Sequence, residues 1–88
     1  MNGVAVDRRI ALATLVVADY DEAIAWYTGA LGFHLLEDSA LGDGKRWVTV
    51  GPAAGAGVAL LLARASDDAQ RARLGDQTGG RVGFFLET

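Results

Sequence analysis

The junction around Asp19 limits what this chain can fold into more than any other stretch. The residues from Ile10 to Val17 are all apolar except Thr14, over the length of a strand and rich in β-branched and leucine side chains. Such a run suits a strand covered on both faces. Asp19 then stands three positions before Glu22, the spacing at which an aspartate caps a helix and a glutamate reaches back to the cap. The helix is predicted over Tyr20 to Leu31, with Tyr20, Ala23, Ile24, Tyr27 and Leu31 on one apolar face and Asp21, Glu22 and Thr28 pointing away. Gly32 ends it through a left-handed residue, and Phe33 folds back onto the last turn. Gly29 inside the helix costs ~1 kcal/mol against alanine, and nothing in the sequence accounts for it.

The elements that follow are strands. Phe33 to Leu41 is predicted as the second, and Gly42-Asp43-Gly44 as a hairpin turn, because such turns need positive φ. Arg46 to Val50 returns as the third strand, with Trp47 and Thr49 on one face and Val48 and Val50 on the other. Gly51 to Gly57 is a loop. It is glycine-rich like a phosphate cradle, yet it lacks the lysine and following helix of one. Gly57 to Ala65 forms the fourth strand. Ser66 to Gly75 holds a short helix capped by Ser66 or Asp67, Gln77 to Gly80 connects, and Arg81 to Glu87 is a fifth strand.

At 88 residues the chain makes one small domain with little core to spare. It contains no cysteine, so neither disulfides nor thiolate chemistry is available. Eight basic against eleven acidic residues leave a net charge of -3, which disfavours nucleic acid as a partner. The Ile10 to Ala18 run is about half of what a membrane-spanning helix needs, so no membrane partner is expected. It follows Arg8 and Arg9 as an export leader would, but Asp7 interrupts the positive charge, and a cytoplasmic location is expected.

The stretch Leu15-Val16-Val17-Ala18-Asp19-Tyr20-Asp21-Glu22-Ala23-Ile24-Ala25-Trp26-Tyr27, with its exit Ala30-Leu31-Gly32-Phe33, resembles the vicinal oxygen chelate superfamily of glyoxalases, bleomycin-resistance proteins and extradiol dioxygenases. The resemblance covers Ile10 to Thr88. It implies an α+β fold: a tail at 1–9, a βαβββ module at 10–65, a linker with a short helix at 66–80 and the first strand of a second module at 81–88. It also implies a cleft between two modules, and hence a homodimer where one chain carries only one complete module. With the odd-numbered face of the first strand against the helix, Leu12 and Thr14 line that cleft. Trp47 and Thr49 supply an apolar wall with a polar handle. A small organic molecule is the implied ligand.

Metal-dependent members of the superfamily carry a ligand on the first strand of a module and a glutamate on its last. The resemblance puts these positions near Leu12 and within Val58 to Ala63, where no side chain can coordinate. In the second module the first-strand position falls near Arg81, a cation. No cofactor is therefore expected from this chain, and no catalytic residue is assigned. His34, the only histidine, reads as structural or solvated, as does Glu87. Trp26 reads as half-buried packing, and Asp67, Asp68, Arg71 and Arg73 read as a solvated charged face. Two other functions stay open: a lyase or dioxygenase taking a divalent metal on ligands from elsewhere, and a non-catalytic module that pairs through a sheet edge.

Overall fold

A computed structural model describes residues 7–54 and 57–86. Part of the tail, the middle of the Gly51 to Gly57 loop, and Glu87 with Thr88 lie outside them. The order is β1 (Leu12–Val17), α1 (Tyr20–Ala25), a π-helical turn (Trp26–Ala30), β2 (His34–Gly42), β3 (Lys45–Gly51), β4 (Ala59–Arg64) and α2 (Asp68–Arg71). The strands form one mixed sheet in the order β1-β4-β3-β2, parallel only between β1 and β4. This is the α+β, βαβββ arrangement expected from the sequence. The two strands of the parallel ladder start and stop together, Leu12 opposite Ala59 and Val17 opposite Arg64. That mutual pairing explains why both are shorter than their apolar runs.

The helix begins where the cap places it. Asp19 is extended, and its Oδ2 accepts from the Glu22 N–H at 2.8 Å. Glu22 makes no reciprocal bond to the cap among the described residues. The predicted single helix to Leu31 changes pitch after Ala25, and the Leu31 N–H donates to the Trp26 carbonyl, five residues back, at 3.2 Å. The Thr28 hydroxyl takes the Ile24 carbonyl at 2.7 Å, offering that acceptor an alternative to the α ladder. Gly29 sits inside this widened turn, and beyond its chain neighbours and the helix's own backbone nothing lies within 4 Å of where a Cβ would stand. Gly32 at φ +75° then closes the helix, and the Phe33 N–H donates to the Tyr27 carbonyl at 2.8 Å.

The apolar stripe packs as predicted. Tyr20 and Phe33 join Val48, Val50, Leu60 and Leu62 in the core, flanked by Leu15, Val17, Ala23, Ile24, Tyr27 and Leu31. The β2–β3 turn is the two-residue Asp43-Gly44, both at positive φ as a type I′ turn requires. Arg46 on β3 then ties two elements together, with Nη1 at 3.0 Å from Asp21 Oδ1 on α1 and Nη2 at 2.7 Å from Asp38 Oδ2 on β2.

After β4 the structure departs from expectation. Asp67 caps α2, its Oδ1 accepting from the Gln70 N–H at 2.8 Å, but only Asp68–Arg71 is helical. The fifth strand predicted over Arg81 to Glu87 is not formed over 81–86. The edge of β1 is partly taken by a side chain instead. Val16 N–H donates to Gln77 Oε1 at 3.1 Å, and Gln77 Nε2 donates to the Val16 carbonyl at 2.8 Å. One amide thus does at Val16 what a neighbouring strand would do.

Two outcomes test this account. Asp19→Ala removes one capping acceptor and should cost ~1 kcal/mol, seen as a drop of roughly 4–8 °C in melting temperature for a domain of this size. Arg46 holds the Asp38 carboxyl below its usual range by hydrogen bonding, so the folded pKa is depressed. The associated stability is present above the ordinary carboxylate pKa and is lost as pH falls through the lower folded value. Urea midpoints measured down an acid series should therefore fall less steeply in Asp38→Asn than in the unaltered protein.

Candidate functional site: the open face of the sheet

Strand alternation and register sort the sheet into two faces. Leu15 and Val17 of β1, Leu60 and Leu62 of β4 and Val48 and Val50 of β3 turn toward α1. Leu12, Thr14 and Val16, Ala59, Leu61 and Ala63, and Trp47 and Thr49 share the other face. Thr14 lies opposite Leu61, Leu61 opposite Thr49, and Thr49 opposite Glu37, so one row crosses all four strands. No helix of the described residues covers this face.

The four residues singled out from the sequence therefore stand on one surface in different surroundings. Leu12 is exposed at the start of β1, and Thr14 is exposed two residues on. Trp47 is half-buried, while Thr49, on the central part of β3, is only 6% exposed. They do not converge on one enclosed cavity. Thr14 borders a cavity of about 440 Å³ whose walls include Leu15, Phe33, Leu60, Phe84 and Leu86. Trp47 borders a separate groove at the far end of the sheet.

Two features, one on this surface and one at its edge, were not legible beforehand. A bulge between Leu35 and Glu37 adds Leu36 to the surface. Its Cδ1 lies 3.1 Å from where a Cβ on Gly51 would stand, so the glycine leaves room for the leucine to lie over β3. The wall made by Phe84 and Leu86 stands with the core-side Leu15 and Leu60 at the β1 end of the sheet, where Thr14 only borders the cavity, and it comes from a segment expected to be a strand. Neither has a local sequence signal, since both depend on how distant segments meet.

The donor chemistry of the face does not suit a metal. Leu12 and the Ala59, Leu61 and Ala63 positions of β4 carry hydrocarbon, and metals of this kind need nitrogen or oxygen donors. Among the described residues no group of three or more His, Asp or Glu side chains converges. His34 is exposed at the start of β2, opposite Gly51. Glu87 lies outside the described residues. Trp26 is 55% exposed rather than half-buried, its ring edge-on to Tyr27 at 4.9 Å, at the position where the change of helical pitch begins. Burial raises the Tyr27 pKa above its ordinary value. No helix of the described residues is long and apolar enough to cross a membrane.

Comparisons with known proteins bear on this geometry. An uncharacterized protein of Shewanella frigidimarina (strain NCIMB 400) is 53% identical over 75 residues, covering 84% of this chain and 56% of that protein. The crystal structure of UcmS2 superposes with a TM-score of 0.64 at 30% identity, over 76% of this chain and 53% of that one. TnmS3, an antibiotic binding protein from Streptomyces sp. CB03234, gives a TM-score of 0.58 at 28% identity, over 85% of this chain and 74% of its own. The chain thus spans about half the length of the Shewanella protein and of UcmS2. The sequence model of the Glyoxalase/Bleomycin resistance protein/Dioxygenase superfamily matches residues 9–88, and with the βαβββ sheet and these relatives it establishes that the chain belongs to that superfamily.

Proposed function

We propose that the open face of the sheet is the floor of a cleft that binds a small organic molecule. A second βαβββ module closes it, contributed by another copy of this chain in a homodimer. The observation that carries this reading is the register that aligns Thr14, Leu61 and Thr49 across β1, β4 and β3, with Leu12 and Trp47 beside them. Apolar side chains with a few hydroxyls and one indole make the kind of wall that holds an apolar ligand and orients it. The likeness to TnmS3, described as an antibiotic binding protein, supports an organic compound as the ligand class.

In this reading the protein sequesters its ligand rather than turning it over. Thr14 and Thr49 donate or accept single hydrogen bonds, Trp47 stacks, and Leu12 and Leu61 displace water. No metal-dependent step is assigned, because hydrocarbon stands at both ligand positions of the module. The chain is proposed to act without a cofactor of its own, in the cytoplasm.

Two measurements test the proposal. A native mass spectrum of the purified protein is expected to show a dimer without bound metal, and a stoichiometric divalent ion would return the assignment to a metal-dependent enzyme. Thr14→Trp fills the β1 end of the row that crosses the floor. Its affinity for 2-naphthol, a neutral bicyclic probe, should fall about tenfold by calorimetry, equivalent to ~1.4 kcal/mol, at an unchanged melting temperature. Equal affinity in the two proteins would put the site elsewhere.

A further inference from the structure

We propose a second site, for the carboxylate or phosphate of a small organic anion, at the end of the sheet where β3 begins and β4 finishes. A groove of about 550 Å³ lies there, bordered by Tyr20, Lys45, Arg46, Trp47, Arg64 and Arg71 among others, and no carboxylate lines it. Four cations around one groove contrast with a chain whose net charge is -3.

Two of the four are already compensated. Arg46 is bound by Asp21 and Asp38 at 3.0 and 2.7 Å, and Arg71 by Asp68 at 2.7 Å. Lys45 and Arg64 form no ion pair among the described residues, so their charge is available to a ligand. Asp43 sits nearby on the hairpin turn, outside the groove lining.

Arg64 is also held in place. Its guanidinium carbon lies 5.3 Å from the centroid of the Tyr20 ring, and that of Arg46 lies 5.1 Å from the same centroid. The Tyr20 hydroxyl accepts from the Arg46 backbone N–H at 3.2 Å, which fixes the ring. Arg64 Nη2 is 3.4 Å from where a Cβ on Gly44 would be, so the guanidinium rests between ring and turn. A cation positioned before its ligand arrives loses less freedom on binding. Arg46 and Arg64 crowd one ring, and only Arg46 has carboxylates to offset the repulsion. An anion against Arg64 and Lys45 would supply the missing charge, while Trp47 and Leu41 offer an apolar wall for the body of the molecule.

The test compares 2-naphthoate with 2-naphthol, probes of similar size that differ in charge. Calorimetry on the intact protein at low salt should show naphthoate binding about tenfold tighter. That advantage should shrink in 0.5 M NaCl, where exposed charges are screened beyond roughly 4 Å, and vanish in the double variant Lys45→Gln/Arg64→Gln. Should that variant fail to melt cooperatively, Lys45→Glu, at an exposed strand start, must lose at least half of the advantage. Equal affinity for the two probes, or an advantage kept by the variants, overturns the proposal. This outcome is separate from that of the open face, because it reads the preference for charge and not binding of the neutral probe.

Discussion

The parallel ladder between β1 and β4 is the constraint on which the rest of this module depends. The two strands are far apart in sequence, and everything between them must close as one excursion that brings Ala59 beside Leu12. Because side chains alternate, a slip of one residue in this ladder would turn Leu15 and Val17 outward and send Leu12 and Thr14 into the core. The same register fixes the face that meets α1 and the face left open. Core packing and the candidate site are therefore two consequences of one pairing.

Tyr20 links that ladder to the remainder. It is the first residue of α1, it is buried, and its ring lies under the guanidinium groups of Arg46 and Arg64 from β3 and β4. Its hydroxyl meets the backbone of β3. Helix, hairpin and last strand are thus held by one aromatic side chain and by the Asp21–Arg46–Asp38 group at the surface. Val48, Val50 and Leu62 are fully buried behind it. Burial of such side chains stabilises by about 1.5–3 kcal/mol each, a large share for a chain that has no disulfide to supplement it.

Much of this was legible from local patterns. The Asp19 cap, the stripe from Tyr20 to Leu31, the Asp43-Gly44 turn and the opposed faces of β3 each depend on residues a few positions apart. The π-helical turn was not, because the apolar periodicity from Tyr20 to Leu31 reads as one helix, and the Thr28 hydroxyl bond to the Ile24 carbonyl beside the turn is made only in the folded chain. The strand expected over Arg81 to Glu87 had the right composition. A strand also needs a partner, and residues 81–86 pair with no strand among the described residues. Where that edge lies open, Gln77 reaches across from a distant turn, a contact no local pattern announces.

The candidate site divides in the same way. Alternation alone places Trp47 with Thr49 and Leu12 with Thr14, but only register puts the two pairs on one face, and only the bulge brings Leu36 over Gly51. By itself the sequence determined the first helix's start, the four strands up to Arg64, the Asp19 cap and the Asp43-Gly44 turn, and the lack of metal donors at Leu12 and along β4, since these follow from residue chemistry and short spacings. Tertiary structure decided which face stays uncovered and which cations find carboxylates. Burial and charge pairing depend on what lies within a few ångströms in space, and the folded chain sets those distances among residues that are remote in sequence.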